Sequence, residues 1–417
     1  MSSWKIHRKH ISDLSIFILC LLMLCSMYPW FSWRYKIFIT LLLCLLFFIL
    51  RLTVTSEKKI ELSKVIAIFS GFILFAYLGF RDLNNASSLF NYMRLFAMTL
   101  FVITMTDNEK SKLITVVTNI YAWIVGISIV YYILIVYCDV QLPYSIIEYP
   151  GETTDYPYFK NYVFLILVET SYSLVRLQSI FMEPGHLGMI SAILLYINKY
   201  DLSKATVLII LIGLFLSFSL AAYALLVLGY ILYELSKWKK VIRRVFLLIS
   251  GLAVLVFISA YVYTKYDEST LSRLILSRFE YDEEKGIVGN NRSSEHFDDY
   301  YERIFLKDAN HWITGLGASY FKTKLAGRTS SYKVFFVEYG AIGAMLLLQF
   351  YLSIFYISRS RFILGLFLLY CASFWQRPYA LWDMQLFLFI CAASVFQNKK
   401  YDDESKNQLF NNNSSQK

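Results

Sequence analysis

The chain has 417 residues, 57% of them hydrophobic and 18% aromatic, with a mean hydropathy of +0.51 and a formal net charge of +10 at pH 7. This composition excludes a soluble globular domain and implies repeated apolar segments of bilayer-crossing length. The positive charge does not point to nucleic acid, because Lys and Arg are scattered at the ends of apolar runs and are not gathered on one polar face.

Apolar runs at 12–30, 35–51, 62–80, 88–105, 113–137, 184–198, 205–218, 220–235, 245–264, 332–357, 362–376 and 380–396 predict about twelve helical spans. The expected fold is an all-α polytopic bundle, since continuous runs such as 41–50 do not alternate as barrel strands do. The basic start (Lys5, Arg8, Lys9) could be taken for a signal peptide. No small-residue cleavage site follows it and a second apolar run comes at once, so the first run reads as the first span. The six cysteines lie almost entirely within apolar runs and form no CxxC, which excludes a zinc site and argues against a disulfide framework. No metal and no cofactor are expected.

In chain order, residues 1–137 hold five spans. Residues 138–183 form a loop rich in Glu148, Glu152, Asp155, Pro143, Pro150 and Pro157, with an apolar piece at 162–168 that is too short to cross and reads as re-entrant or interfacial. Spans six to nine occupy 184–264, and 205–235 crosses twice about a break at Ser217-Phe218-Ser219. A long polar block follows at 265–331, then the last three spans at 332–396 and an Asn/Ser-rich tail at 397–417 that is expected to be disordered. Basic residues on alternate connections (Arg51, Lys64, Lys237, Arg359, Arg361) place both termini in the cytoplasm and the polar block outside.

Within that block, 292–312 is predicted to be an amphipathic helix lying along the outer membrane–water boundary. Phe297, Tyr300, Tyr301, Ile304, Phe305 and Trp312 share one side, while Arg292, His296, Asp299, Arg303, Lys307 and His311 share the other. Ser293 or Ser294 can cap its start, and Gly315-Leu316-Gly317 turns the chain after it.

Three constellations can carry chemistry. In RLQSIFMEPGHLG (176–188), Pro184 suits a first helical position, which makes Glu183 the cap. Glu183 and Arg176 are then either a cap and an interfacial anchor, or an acid and a phosphate-holding guanidinium at the mouth of an outward cavity. His186 reads as a packed histidine ahead of a base. The polar block supplies Arg273, Arg278, Arg292, Arg303 and Arg328, a guanidinium preference that suits a diphosphate, although Asp299 with Arg303 also fits an ordinary solvated i,i+4 pair. Arg94, Glu338 and Asp383 fall inside spans, where ionisable groups face a cavity or one another, with snorkelling as the other account of Arg94 and Glu338. Gly340 and Gly343 read as close helix packing. GLG is no dinucleotide loop, and no HExxH, GxSxG or P-loop is present.

Together these residues resemble a known family. An Arg followed by FMEPGHLG before a span, SFSLAAYA at a later break, a large outer block ending in HWITGLG, and SSYKVFFVEYGAIGAMLLL opening the next span are similar to the Wzy-type O-antigen polymerases, in a superfamily shared with the O-antigen ligases. The resemblance covers most of 176–348. It implies a bacterial inner-membrane glycosyltransferase without a metal, joining undecaprenyl-diphosphate-linked repeat units, donor and acceptor, at the periplasmic face for O-antigen or capsule. A chain-length regulator and a flippase would serve the same pathway. The matching positions are Arg176, Glu183, Arg292 and Arg303; with the polar block's other basic residues added, Glu183, His311 and Arg176 are the candidate catalytic residues, and Arg176, Arg278, Arg292, Arg303, Arg328 and His296 the candidates for holding diphosphate or glycan. Where the ligases place a His-Asn or His-Ser pair, this chain reads Arg328-Thr329-Ser330-Ser331, which favours polymerase over ligase and leaves the base open between Glu183 and His311. The alternative from another class, a lipid-linked oligosaccharide flippase, expects two similar halves, and none is evident.

Overall fold

A computed structural model describes residues 2–54, 60–83, 85–150, 158–168, 175–237, 281–282, 286–287, 293–325, 329 and 331–397. It is mostly helical. The first five helices are α1 (Ser2–Cys25), α2 (Lys36–Thr53), α3 (Leu62–Arg81), α4 (Ala86–Thr104) and α5 (Asp107–Tyr132), the last continued by a wide π-turn at Ile133–Tyr137. Then come α6 (Pro184–Ile197), α7 (Ala205–Leu216) and α8 (Leu220–Ser236). Two short loop helices, α9 (Glu295–Tyr300) and α10 (Ala309–Thr314), precede α11 (Lys333–Ser358), α12 (Arg361–Gln376) and α13 (Asp383–Val395). The expected span at 245–264 and the tail from 398 lie outside the described residues.

Among the described residues, five helices are long and apolar enough to cross a membrane: α2, α3, α4, α5 with its π-turn, and α11. The surface they present is apolar too. On α2 only 17% of the most apolar stretch is buried, and Ile37, Phe38, Leu45 and Leu52 point outward. A helix whose outward side is this greasy suits lipid, not water. By contrast α6 and α13 are buried on all sides, from His186 to Ile197 and from Asp383 to Ser394, and form the centre about which the others pack.

The centre is short. α13 has thirteen residues, about 20 Å of rise, and α6 has fourteen, about 21 Å. The far end of α13 is fixed by Lys110 Nζ donating to Ser394 Oγ at 3.1 Å and by Ser358 Oγ donating to the Phe396 carbonyl at 3.2 Å. Its start, at Asp383, therefore stands within the thickness of the bundle. α5 runs on well past that level, to Tyr137.

Two expectations are corrected. The all-α reading omits a three-stranded antiparallel sheet, β1 (Ser145–Glu148), β2 (Tyr158–Asn161) and β3 (Ile166–Val168). The 162–168 piece, expected to be too short to cross, is a turn and a strand: its backbone bonds into the sheet while Leu165 and Ile166 are buried, which satisfies the polar groups an irregular segment would leave bare. Gly340 is no helix-packing glycine either. It breaks α11 at φ 64, and a Cβ there would sit 2.4 Å from the Ile313 carbonyl oxygen. Into the opened turn dock the Leu316 and Gly317 amides, donating to the Val337 and Glu338 carbonyls at 2.7 and 2.8 Å. The break between α7 and α8 does fall at Ser217-Phe218-Ser219, with Phe218 at φ 43.

Candidate functional site

The ends of the short central helices and the connections beside them form one polar layer. Pro184 starts α6 and leaves Glu183 at the cap with extended backbone (φ −137, ψ 144). The Glu183 side chain makes no cap hydrogen bond. Its carboxylate turns instead to Arg377, with which it forms an ion pair. Gly185 permits this approach, since a Cβ there would lie 3.3 Å from an Arg377 Nη atom.

Arg377 follows the last residue of α12 and also donates to the Tyr379 hydroxyl at 2.8 Å. Tyr379 lies flat on Trp382, ring centroids 3.8 Å apart at 15°. His186 Nε2 is 3.3 Å from the Tyr379 hydroxyl, and the buried His186 ring meets Trp382 edge-on at 4.8 Å. The packed reading of His186 therefore fits, and the ring also touches the hydroxyl that Arg377 holds. Burial raises the Tyr379 hydroxyl above the ordinary phenol value, with Arg377 pulling the other way, so Tyr379 stays a proton donor at neutral pH.

One residue after Trp382, Asp383 opens α13 and takes both arms of Arg94 from α4, at 2.7 and 3.0 Å. Of the three ionisable residues inside apolar runs, two have thus found each other, as the cost of lone charges in an apolar medium requires. Glu338 is apart from them, at the break in α11. Arg176 lies at the same end of the bundle, but its Nε donates to the Ser217 carbonyl at 3.0 Å, beside the α7–α8 break.

The polar block contributes differently. Arg278, Arg292 and Arg328, with Arg273, lie outside the described residues. Arg303 is 74% exposed and paired with Asp299 at 2.6 Å. His296 is exposed, and His311 is 41% exposed, its Nδ1 3.3 Å from Asp308. The described residues therefore do not bring Arg303, His296 or His311 to Glu183. The long amphipathic helix is also corrected: α9 passes into a π-turn at Tyr301–Phe305, and Asp308 caps a separate α10 by accepting from the Asn310 and His311 amides. Phe297, Tyr301 and Phe305, at four-residue steps, are buried against Phe321, Leu325 and Val337, so the aromatic side fills the loop's own core. Ile304 and Trp312 face away from it.

Sequence reasoning missed Arg377, Tyr379 and Trp382. A signal was there: Arg377 is a basic residue in a short connection between two apolar runs, beside a proline and three aromatics.

No family model, curated protein or solved structure matches this chain.

The layer is equipped to handle an anion and a proton. The Glu183 side chain is 35% exposed, enough to exchange a proton with a bound hydroxyl. The guanidinium beside it pairs with the carboxylate and can stabilise charge that develops on a leaving oxygen.

Proposed function

We propose that this chain is a polysaccharide polymerase of a bacterial inner membrane, with about twelve spans, both termini in the cytoplasm and the Glu183–Arg377 layer opening to the periplasm. Its substrates are undecaprenyl-diphosphate-linked oligosaccharides. The acceptor hydroxyl oxygen bonds to the anomeric carbon of the donor glycan as the bond from that carbon to the diphosphate breaks. The diphosphate leaves with the electron pair, and the acceptor proton passes to Glu183.

Arg377 steadies the Glu183 carboxylate and faces the departing charge, and Tyr379 offers it a hydrogen bond. Arg94 and Asp383, locked to each other, hold the start of α13 in place beneath them. Arg176 fixes the α7–α8 break that packs on the second turn of α6, where Gly188 meets Ser217 and Ala222. The carrying observation is the Glu183–Arg377–Tyr379–His186 set at the ends of short central helices. A layer sunk below the outer surface lets a lipid tail stay in the bilayer while its sugar lies in water.

The experiment is deletion of the gene with analysis of the surface glycan. A polymerase leaves glycan capped with a single repeat unit, and wild-type protein but not Glu183→Gln restores the polymer. Accumulation of free lipid-linked polymer would instead assign a ligase, and absence of both products a flippase.

A further inference from the structure

Arg94, Arg377 and Lys36 gather near Glu183 and Asp383 in the polar layer, and the two arginines take the two carboxylates. Arg94 is taken by Asp383 and Arg377 by Glu183. Lys36, the first residue of α2, lies within electrostatic range of Asp383 and Arg94 but makes no ion pair or hydrogen bond with a described residue. Its Nζ rests over the Tyr28 ring, 3.1 Å from the centroid. A ring face holds an ammonium less firmly than a carboxylate or phosphate partner holds a charge that is partly withdrawn from water.

The chain takes some trouble to put that ring there. Tyr28 is left-handed at φ 56, a conformation costly for a bulky side chain. The segment around it is clamped to the approach to Glu183: the Trp30 amide donates to the Ile180 carbonyl at 2.9 Å, and Pro29 bridges to Phe181. The Trp33 indole donates to the Tyr28 carbonyl at 2.9 Å. The same Tyr28 ring lies 6.4 Å from His186 and 6.1 Å from Trp382. The unpaired ammonium is thereby held beside the Glu183–Arg377 set.

Building on the polymerase reading, we propose that Lys36 is a diphosphate-binding residue, its ammonium leaving the Tyr28 ring for the phosphate oxygens of the donor. An ammonium is a compact point charge that serves phosphate without the fixed geometry a guanidinium imposes. Lys36 can therefore follow the phosphates as the bond from the anomeric carbon to the diphosphate breaks, while Arg94 stays tied to Asp383.

The test uses the full-length protein in detergent, with farnesyl diphosphate and inorganic pyrophosphate as probes and tryptophan fluorescence as the readout. Wild type should bind both. Lys36→Met and Lys36→Gln should each weaken both at least tenfold, and Lys36→Arg should stay within threefold of wild type. A readout independent of variants is protection: bound pyrophosphate should shield Lys36 of the wild type from amine acylation, followed by mass spectrometry. Variants that bind both probes as wild type does, or lose farnesyl diphosphate alone, overturn the role of Lys36 and leave the polymerase reading standing. Unprotected Lys36 with pyrophosphate bound has the same meaning. A wild type that binds neither probe overturns both.

Discussion

The polar layer at the ends of α6, α12 and α13 and the polar block at 293–325 are both rich in charge, yet they treat it in opposite ways. In the layer, Arg94 and Arg377 are withdrawn from water and locked to carboxylates from distant parts of the sequence. In the block, Arg303 and His311 pair with neighbours three or four residues away, Arg303 largely and His311 partly exposed. A buried charge pair is costly to assemble and is kept where geometry must be held, whereas an exposed local pair contributes little. On the proposed reading the layer carries the chemistry, while the described part of the block packs around its own small aromatic core.

That contrast can be broken most directly at Glu183 and Arg377. Glu183→Gln and Arg377→Ala should each lower repeat-unit joining by about 100-fold or more, as loss of a proton acceptor or a charge-stabilising donor does. The rate is measured with lipid-linked units in vesicles at matched protein levels. Activity within threefold of wild type in both would remove the layer from the mechanism.

Next in size is the Arg94–Asp383 pair. Removing either partner alone should destabilise the bundle by about 3–5 kcal/mol, because the other charge is left buried. Arg94→Met with Asp383→Leu should recover most of that loss. Thermal melting in detergent gives the double-mutant cycle, and additive losses would mean that the two do not act as a pair.

Gly340→Ala tests how the block is joined to α11. It puts a side chain on a left-handed residue facing the Ile313 carbonyl, at a cost of about 1–3 kcal/mol for the backbone alone. The 293–325 segment should become more sensitive to protease while the helices keep their resistance.

The smallest effect is expected at Arg303. Its bond to Asp299 is an exposed i,i+4 pair worth about 0.3–0.5 kcal/mol, so Arg303→Ala should change joining less than twofold. A loss at Arg303 as deep as that at Arg377 would reverse the contrast and bring the block over the layer during turnover.

The residues show why some of this was legible beforehand. Leu, Ile and Phe in long runs specify helices that bury one side and offer lipid the other, and Pro184 after Glu183 marks a helix start wherever it occurs. The break at Ser217-Phe218-Ser219 was readable because parity and short apolar halves demanded it. The sheet at 145–168 was hidden since its strands are only three or four residues long, too few for alternation to register. The block's aromatic stripe was visible, but a stripe does not say what it faces: Phe297, Tyr301 and Phe305 found Phe321 and Val337 before any membrane.

By itself the sequence determined a chain of apolar helices, the order of its polar connections and the presence of Glu183 at a helix start, because hydrophobic burial and capping act over a few residues. Tertiary structure alone decided which charges meet. Arg377 reaches Glu183, and Arg94 reaches Asp383, across more than half of the chain in the latter case. An ion pair within an apolar bundle is chosen by which helix ends come to rest at the same depth, and no local pattern encodes that depth.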